Sequence, residues 1–139
     1  MSRENVELIR RGYDAVKRSG FEAMPDLVDD FADPDIEFRA VGRLPDAAVV
    51  RGREPLKQWF AQIIETFDFS VEAEEFIDAG DAVVVVTRQI GRGKVSGAKA
   101  TNRVVVVWGI RQGRVSYVDA YRTKHEALEA VGLGSKSSQ

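Results

Sequence analysis

The sequence has no cysteine, one histidine and four prolines among its 139 residues. Without cysteine the chain forms no disulfide and offers no thiolate ligand to a metal. Lysine and arginine (20) nearly balance aspartate and glutamate (22), and this near-neutral charge argues against a nucleic-acid partner. No apolar run approaches the roughly 20 residues of a membrane span, and the charged start does not look like a secretion signal. These absences predict a cytoplasmic protein with no membrane partner.

Apolar residues make up 44% of the chain and charged residues 30%, the balance of an ordinary globular protein. The length suits one domain with a sizeable core. We find no repeat or linker, so residues 1–133 are expected to form a single domain. Glycine, serine and lysine dominate residues 134–139, which predicts a disordered tail.

Four helices are predicted from apolar residues at three- and four-residue spacing. They cover residues 2–18, 24–31, 54–67 and 125–131. The first has one hydroxyl, that of Tyr13, in its apolar stripe. The third has the broadest apolar face and is expected to pack on a sheet.

Strands are predicted where β-branched and aromatic residues cluster between turn residues. They cover residues 35–41, 69–77, 82–91, 99–110 and 115–122, with a loop at 42–50. The runs Val83–Val86 and Val104–Val107 have no polar alternation, so both faces of this sheet should be covered. Helices can cover one face, and a second copy of the chain is expected to cover the other. The sequence therefore predicts a homodimer formed through the sheet.

Asp119 is a charge inside an otherwise apolar strand. If Gln112–Gly113 forms a two-residue turn, Asp119 pairs with Val106 on the preceding strand. Its neighbours would then be Val104, Trp108, Tyr117 and Tyr121. Burying a carboxylate in such surroundings is costly unless it is ion-paired, hydrogen-bonded or protonated. Asp119 is therefore a candidate acid or base, and the alternative is an inert pair with Arg88, Arg103 or Tyr13.

The order of these elements resembles the nuclear-transport-factor-2-like fold, and the chain resembles its SnoaL-like group of polyketide cyclases and ketosteroid isomerase relatives. The segments that carry the resemblance are residues 5–13, 31–38, 51–54, 75–81 and 126–130. The resemblance implies an α+β fold of the cystatin-like type. A curved antiparallel sheet would wrap a long helix like a cone, with a pocket at its open end.

The resemblance also implies roles for single residues. Tyr13 matches the oxyanion-binding tyrosine of ketosteroid isomerases, and Asp119 matches the acid that cyclases of this fold have on their last strand. Arg39 and Val106 occupy the positions of the two isomerase acids, so that acid pair is absent.

The predicted function is a pocket for a hydrophobic, oxygenated small molecule, used either by a cofactor-free enzyme or by a binding protein. In the enzyme, Asp119 and Tyr13 would transfer protons without a metal or cofactor, and Asp119→Asn would abolish turnover with little effect on stability. Six further residues are expected to contact the ligand: Phe38, Trp59, Arg88, Val106, Trp108 and Tyr121. In the non-catalytic alternatives the chain only binds its ligand, or fills the cone with its own side chains.

Overall fold

The computed structural model describes residues 2–39 and 49–133, which form four α-helices and six strands. In chain order the elements are α1 (Ser2–Ser19), a short 3-10 helix (Phe21–Ala23), α2 (Met24–Phe31), β1 (Ala32–Arg39), β2 (Val49–Arg51), α3 (Arg53–Thr66), β3 (Phe67–Asp78), β4 (Ala82–Gly93), β5 (Lys99–Arg111), β6 (Arg114–Tyr121) and α4 (Lys124–Ala130). The predicted α+β class is confirmed, and the predicted helices agree to within one residue at each end.

The first strand and the following loop differ from prediction. β1 begins three residues earlier than expected, and the end of the predicted loop forms β2. Residues 40–48 and the tail predicted at 134–139 lie outside the described residues.

All six strands belong to one curved sheet, in the order β2-β1-β6-β5-β4-β3. Neighbouring strands are antiparallel, except that β1 runs parallel to β6. The prediction of a wholly antiparallel sheet is wrong at this point. Short hairpin turns force antiparallel pairing, whereas the long connection from β1 to β6 allows the parallel arrangement.

The inner face of the sheet packs against α1, α2 and α3. Val83, Val85, Val104 and Val106 line this face and join one core with Leu56 and Phe60 of α3. These apolar side chains alternate with the residues of the opposite face, as the period of a strand requires.

Part of the outer face, including the valine runs, is covered by α4 of the same chain. Ala127 is fully buried against a group of four valines, Val84, Val86, Val105 and Val107. The Thr123 hydroxyl accepts a hydrogen bond from the backbone N–H of Glu126 and so caps this helix. The valine runs are therefore buried on both faces within one chain. The argument for a homodimer from an uncovered sheet face therefore no longer applies. The homodimer itself stays a prediction.

Among the described residues, no helix is long and apolar enough to span a membrane.

Candidate functional site

A cavity of about 850 Å³ lies between the inner face of the sheet and helices α1 to α3. Aliphatic and aromatic side chains form most of its wall. Ser96, Ala98 and Lys99 line it at the β4–β5 hairpin and are also exposed to solvent. The cavity therefore opens to the surface at this hairpin, which we call the mouth.

Tyr13 and Trp108 form a hydrogen-bonded pair on the cavity wall. The indole Nε1–H of Trp108 donates to the Tyr13 hydroxyl at 3.1 Å, and the two rings meet edge to face. Phe76 packs against Tyr13 with the same geometry. Burial raises the pKa of Tyr13 far above its usual value, against a smaller lowering by the Trp108 hydrogen bond. The phenol is therefore protonated at any physiological pH.

Two amides form a second polar position on the wall. Gln89 of β4 and Asn102 of β5 are direct cross-strand partners, and both line the cavity. Sequence reasoning missed both residues. Asn102 could have been predicted from the sequence, because it is an even number of residues from Val104, Val106 and Trp108 on one strand and so shares their face.

Five of the predicted site residues lie on the cavity wall: Tyr13, Phe38, Trp59, Val106 and Trp108. The Phe38 and Trp59 rings are in contact, with centroids 4.9 Å apart. Their role in binding stays a prediction, but the structure brings all five to one cavity.

Asp119 does not line this cavity, and the register predicted for it is wrong. Gln112 and Gly113 do form the two-residue turn, since both have positive φ angles (53° and 76°). A bulge after the turn then skips Ser116, so that Asp119 pairs with Val107 instead of Val106. A shift of one residue moves a side chain to the opposite face of a sheet. Asp119 therefore lies on the outer face.

On that face Asp119 forms an ion pair with Arg39. Arg39 Nε is 2.7 Å from Asp119 Oδ1, and Nη2 donates a hydrogen bond to Oδ2 at 3.2 Å. The Arg39 guanidinium also lies over the Tyr117 ring, 4.7 Å from its centroid. Burial raises the pKa of Asp119, while the charge and hydrogen bond of Arg39 lower it by less. The arrangement is an ion pair of a buried carboxylate and a half-buried guanidinium that lies over an aromatic ring.

Two other predicted residues also lie away from the cavity. Arg88 is exposed and donates from Nε to Glu72 at 3.0 Å, so it is not the partner of Asp119. Tyr121 packs on the outer valines beside α4. Arg103 pairs with Glu74. The register shift of β6 moves Tyr121 to the outer face. The alternation of side chains along β4 and β5 places Arg88 and Arg103 on that face as well.

The chemistry available at the cavity is limited to hydrogen bonding and one cation. Among the described lining residues there is no aspartate, glutamate or histidine, and Lys99 is the one charged group. The described part of the chain has no cluster of three or more metal-ligating side chains. The wall can thus hold an apolar molecule and donate a hydrogen bond to it.

Comparison with known proteins identifies the family and supports the fold. The model of the SnoaL-like domain matches residues 9–118. An NTF2-like protein of unknown function from Burkholderia pseudomallei K96243 is 20% identical, with a TM-score of 0.70 over 93% of this chain and 98% of that chain. A protein assigned as a SnoaL-like polyketide cyclase from Jannaschia sp. CCS1 is 21% identical, with a TM-score of 0.72 over 95% and 92%.

TerC, co-crystallised with polyporic acid, is 21% identical, with a TM-score of 0.67 over 92% of this chain and 98% of that chain. No curated protein matches the sequence. At these identities the structural likeness shows the fold alone. The domain match covers most of the chain, and by that match the protein belongs to the SnoaL-like domain family.

Proposed function

We propose that the protein binds a hydrophobic small molecule that bears an oxygen atom, and that the Tyr13 hydroxyl donates a hydrogen bond to this oxygen. The cavity, at about 850 Å³, is within the size range of small-molecule sites, which are mostly apolar with a few placed polar groups. A void of this size argues against a cone filled by its own side chains. Structural relatives include TerC, co-crystallised with polyporic acid, which supports a small-molecule site.

The Tyr13–Trp108 pair is the observation that carries this proposal. A phenol has one proton to donate and lone pairs to accept. Because the Tyr13 oxygen already accepts from Trp108 Nε1, its own proton is left for a ligand. The incoming hydrogen bond polarises the hydroxyl and strengthens it as a donor.

Binding is favoured over acid–base catalysis. Proton transfer needs a group that accepts a proton near the ligand. Asp119, the expected acid or base, lies on the outer face, and the described cavity wall has no other carboxylate and no histidine.

Filling the cavity should abolish binding. Ala120 lines the wall beside Val106, so the ring of Ala120→Phe would occupy ligand space. N-phenyl-1-naphthylamine, a neutral fluorescent probe, should bind at least about tenfold more weakly to this variant. Energy transfer from Trp59 and Trp108 to the probe measures binding, and the comparison with a control variant shows whether the site is the cavity. Ala130→Phe, on the exposed end of α4, is the matched control. Equal affinities for both variants would contradict a site in the cavity.

The hydrogen bond from Tyr13 is tested with two ligands of nearly the same shape. Acetylnaphthalene has a carbonyl, whereas ethylnaphthalene does not. Tyr13→Phe should weaken acetylnaphthalene about tenfold relative to ethylnaphthalene, because one hydrogen bond is lost. Tyr117→Phe removes a hydroxyl from the outer face and should leave the ratio unchanged. A ratio unaffected by Tyr13→Phe would show that Tyr13 is only a wall residue.

A further inference from the structure

A smaller cavity of about 360 Å³ adjoins the mouth of the main one. The two cavities share four wall residues, Phe21, Phe67, Phe69 and Lys99. Three cations line the smaller cavity, Arg92, Lys94 and Lys99, together with the carboxylates of Glu22 and Asp68. The mouth therefore combines exposed aromatic surface with an excess of positive charge.

The positions of these cations are not explained by the stability of the fold. Arg92 and Lys99 are direct cross-strand partners in β4 and β5, and like charges in such positions destabilise a sheet. On its other side Arg92 faces Asp68 of β3. Among the described residues, none of the three cations has a carboxylate within ion-pair distance. Elsewhere in the sheet Arg39, Arg88 and Arg103 each have one.

The hairpin that holds these cations is fixed by backbone hydrogen bonds. Gly93 N–H donates to Ala98 O at 3.0 Å, and Gly97 N–H donates to Gly93 O at 2.8 Å. Lys94 N–H donates to Thr66 O at 3.0 Å, which ties the hairpin to the end of α3. The backbone positions from which the three cations extend are thus fixed at the mouth.

We propose that Arg92, Lys94 and Lys99 form an anion-binding subsite at the mouth, and that the natural ligand is an amphipathic anion whose apolar body lies in the main cavity. The proposal rests on the proposed function, to which it adds the charge of the ligand. A bound carboxylate, sulfonate or phosphate would relieve the repulsion between Arg92 and Lys99. From the mouth the inner face of β5 continues through Asn102 and Val104 to Trp108, and the main cavity beside this wall can hold the apolar body of the ligand.

Two probes with a common skeleton separate this proposal from the proposed function. 1-Anilinonaphthalene-8-sulfonate is N-phenyl-1-naphthylamine with an added sulfonate. In Arg92→Gln/Lys99→Gln we expect the sulfonate probe to lose about fivefold in affinity relative to the neutral probe, since exposed charge contacts are individually weak. High salt should remove most of the wild-type preference for the sulfonate, because exposed charges are screened.

The control variant is Arg3→Gln/Arg114→Gln, which changes the net charge equally at the other end of the sheet. Asn5 of α1 bonds to Gly80 O in the β3–β4 turn, and Arg114 begins β6 at that same end. The control should leave the ratio of the two affinities unchanged. Equal losses in both double variants would overturn the subsite, as would sulfonate binding that survives Ala120→Phe. If the neutral probe fails to bind the wild type, the proposed function is wrong, and the proposed subsite is wrong as well.

Discussion

Replacing Arg39 with glutamine should destabilise the protein by about 3 kcal/mol near neutral pH, because it leaves a buried charge without its partner. Asp119 is only 8% exposed, whereas the Arg39 side chain is 36% exposed. Asp119→Asn should therefore cost less than Arg39→Gln, since the arginine left behind can turn to water. The enzyme interpretation of the sequence predicted a different result, in which Asp119→Asn abolishes turnover with little effect on stability.

The loss of stability caused by Arg39→Gln should decrease as the pH falls. In the wild type, burial already raises the pKa of Asp119 above its ordinary value of 3.8. Arg39→Gln removes the guanidinium charge and hydrogen bond that lower this pKa, so it rises further. A group with a raised folded-state pKa binds its proton more tightly when folded. The stability that this proton provides is present at low pH and lost as the pH rises through the folded pKa. The variant should therefore recover toward wild-type stability as the pH falls through the folded pKa of Asp119 toward its ordinary value of 3.8.

Urea unfolding of the wild type and Arg39→Gln across this pH range measures the difference. Arg88→Gln is the matched control, because Arg88 pairs with Glu72 on the same face but is exposed. It should cost far less than Arg39→Gln at every pH, because an exposed ion pair contributes little to stability. A loss in Arg39→Gln that stays constant on acidification would show that Asp119 is not the group left uncompensated. Binding of the neutral probe should be unaffected, since Arg39 and Asp119 lie outside the described cavity wall.

Much of the fold could be predicted because each helix or strand has a regular spacing of apolar residues within its own short segment. The spacing of Leu56, Trp59, Phe60 and Ile63 defines α3 by itself, and no distant contact is needed to recognise it. The two-residue turn at Gln112–Gly113 is equally local, because glycine adopts positive φ without strain. The parallel pairing of β1 with β6 could not be read in this way, since it joins segments far apart in the sequence.

The face of Asp119 was missed because it depends on one extra residue in a strand. Period-two alternation is counted from a register, and the bulge at Ser116 changes that count for every later residue of β6. Gly109 on the partner strand was the available signal, since a glycine inside a strand often marks a bulge or a close approach. The same shift brought Arg39, expected at a position of isomerase chemistry, beside Asp119 as its ion-pair partner.

The polar groups of the cavity were only partly predictable. Tyr13 could be placed because it lies on the apolar stripe of α1, which must face the core. Its hydrogen bond with Trp108 joins residues 95 positions apart and needs the folded sheet. The cations of the mouth form a group only because the β4–β5 hairpin places Arg92 opposite Lys99.

Gly109→Ala should be the most damaging small substitution in β5, with an expected loss of about 3 kcal/mol. A Cβ atom at this position would overlap the ring of Tyr117, which occupies the space beside the glycine. The ring would have to leave the outer face, and it would lose its contact with the Arg39 guanidinium. Gly91→Ala in β4 is the matched control, since its Cβ would meet Phe69 at an ordinary contact distance of 3.4 Å.

A double-mutant cycle separates steric overlap from any other effect of the substitution. In a Tyr117→Ala background the overlap is gone, and alanine is preferred to glycine inside a strand by roughly 0.5–1 kcal/mol. Gly109→Ala should then become neutral or stabilising, so the two changes should be strongly non-additive in urea unfolding. Additive losses would mean that Tyr117 does not pack on Gly109. Loss of the ring should also admit water to Asp119, so Arg39→Gln should cost less in the Tyr117→Ala background than in the wild type. That last difference would show that the aromatic ring, together with the bulge that positions it, is what makes the ion pair of Asp119 a buried one.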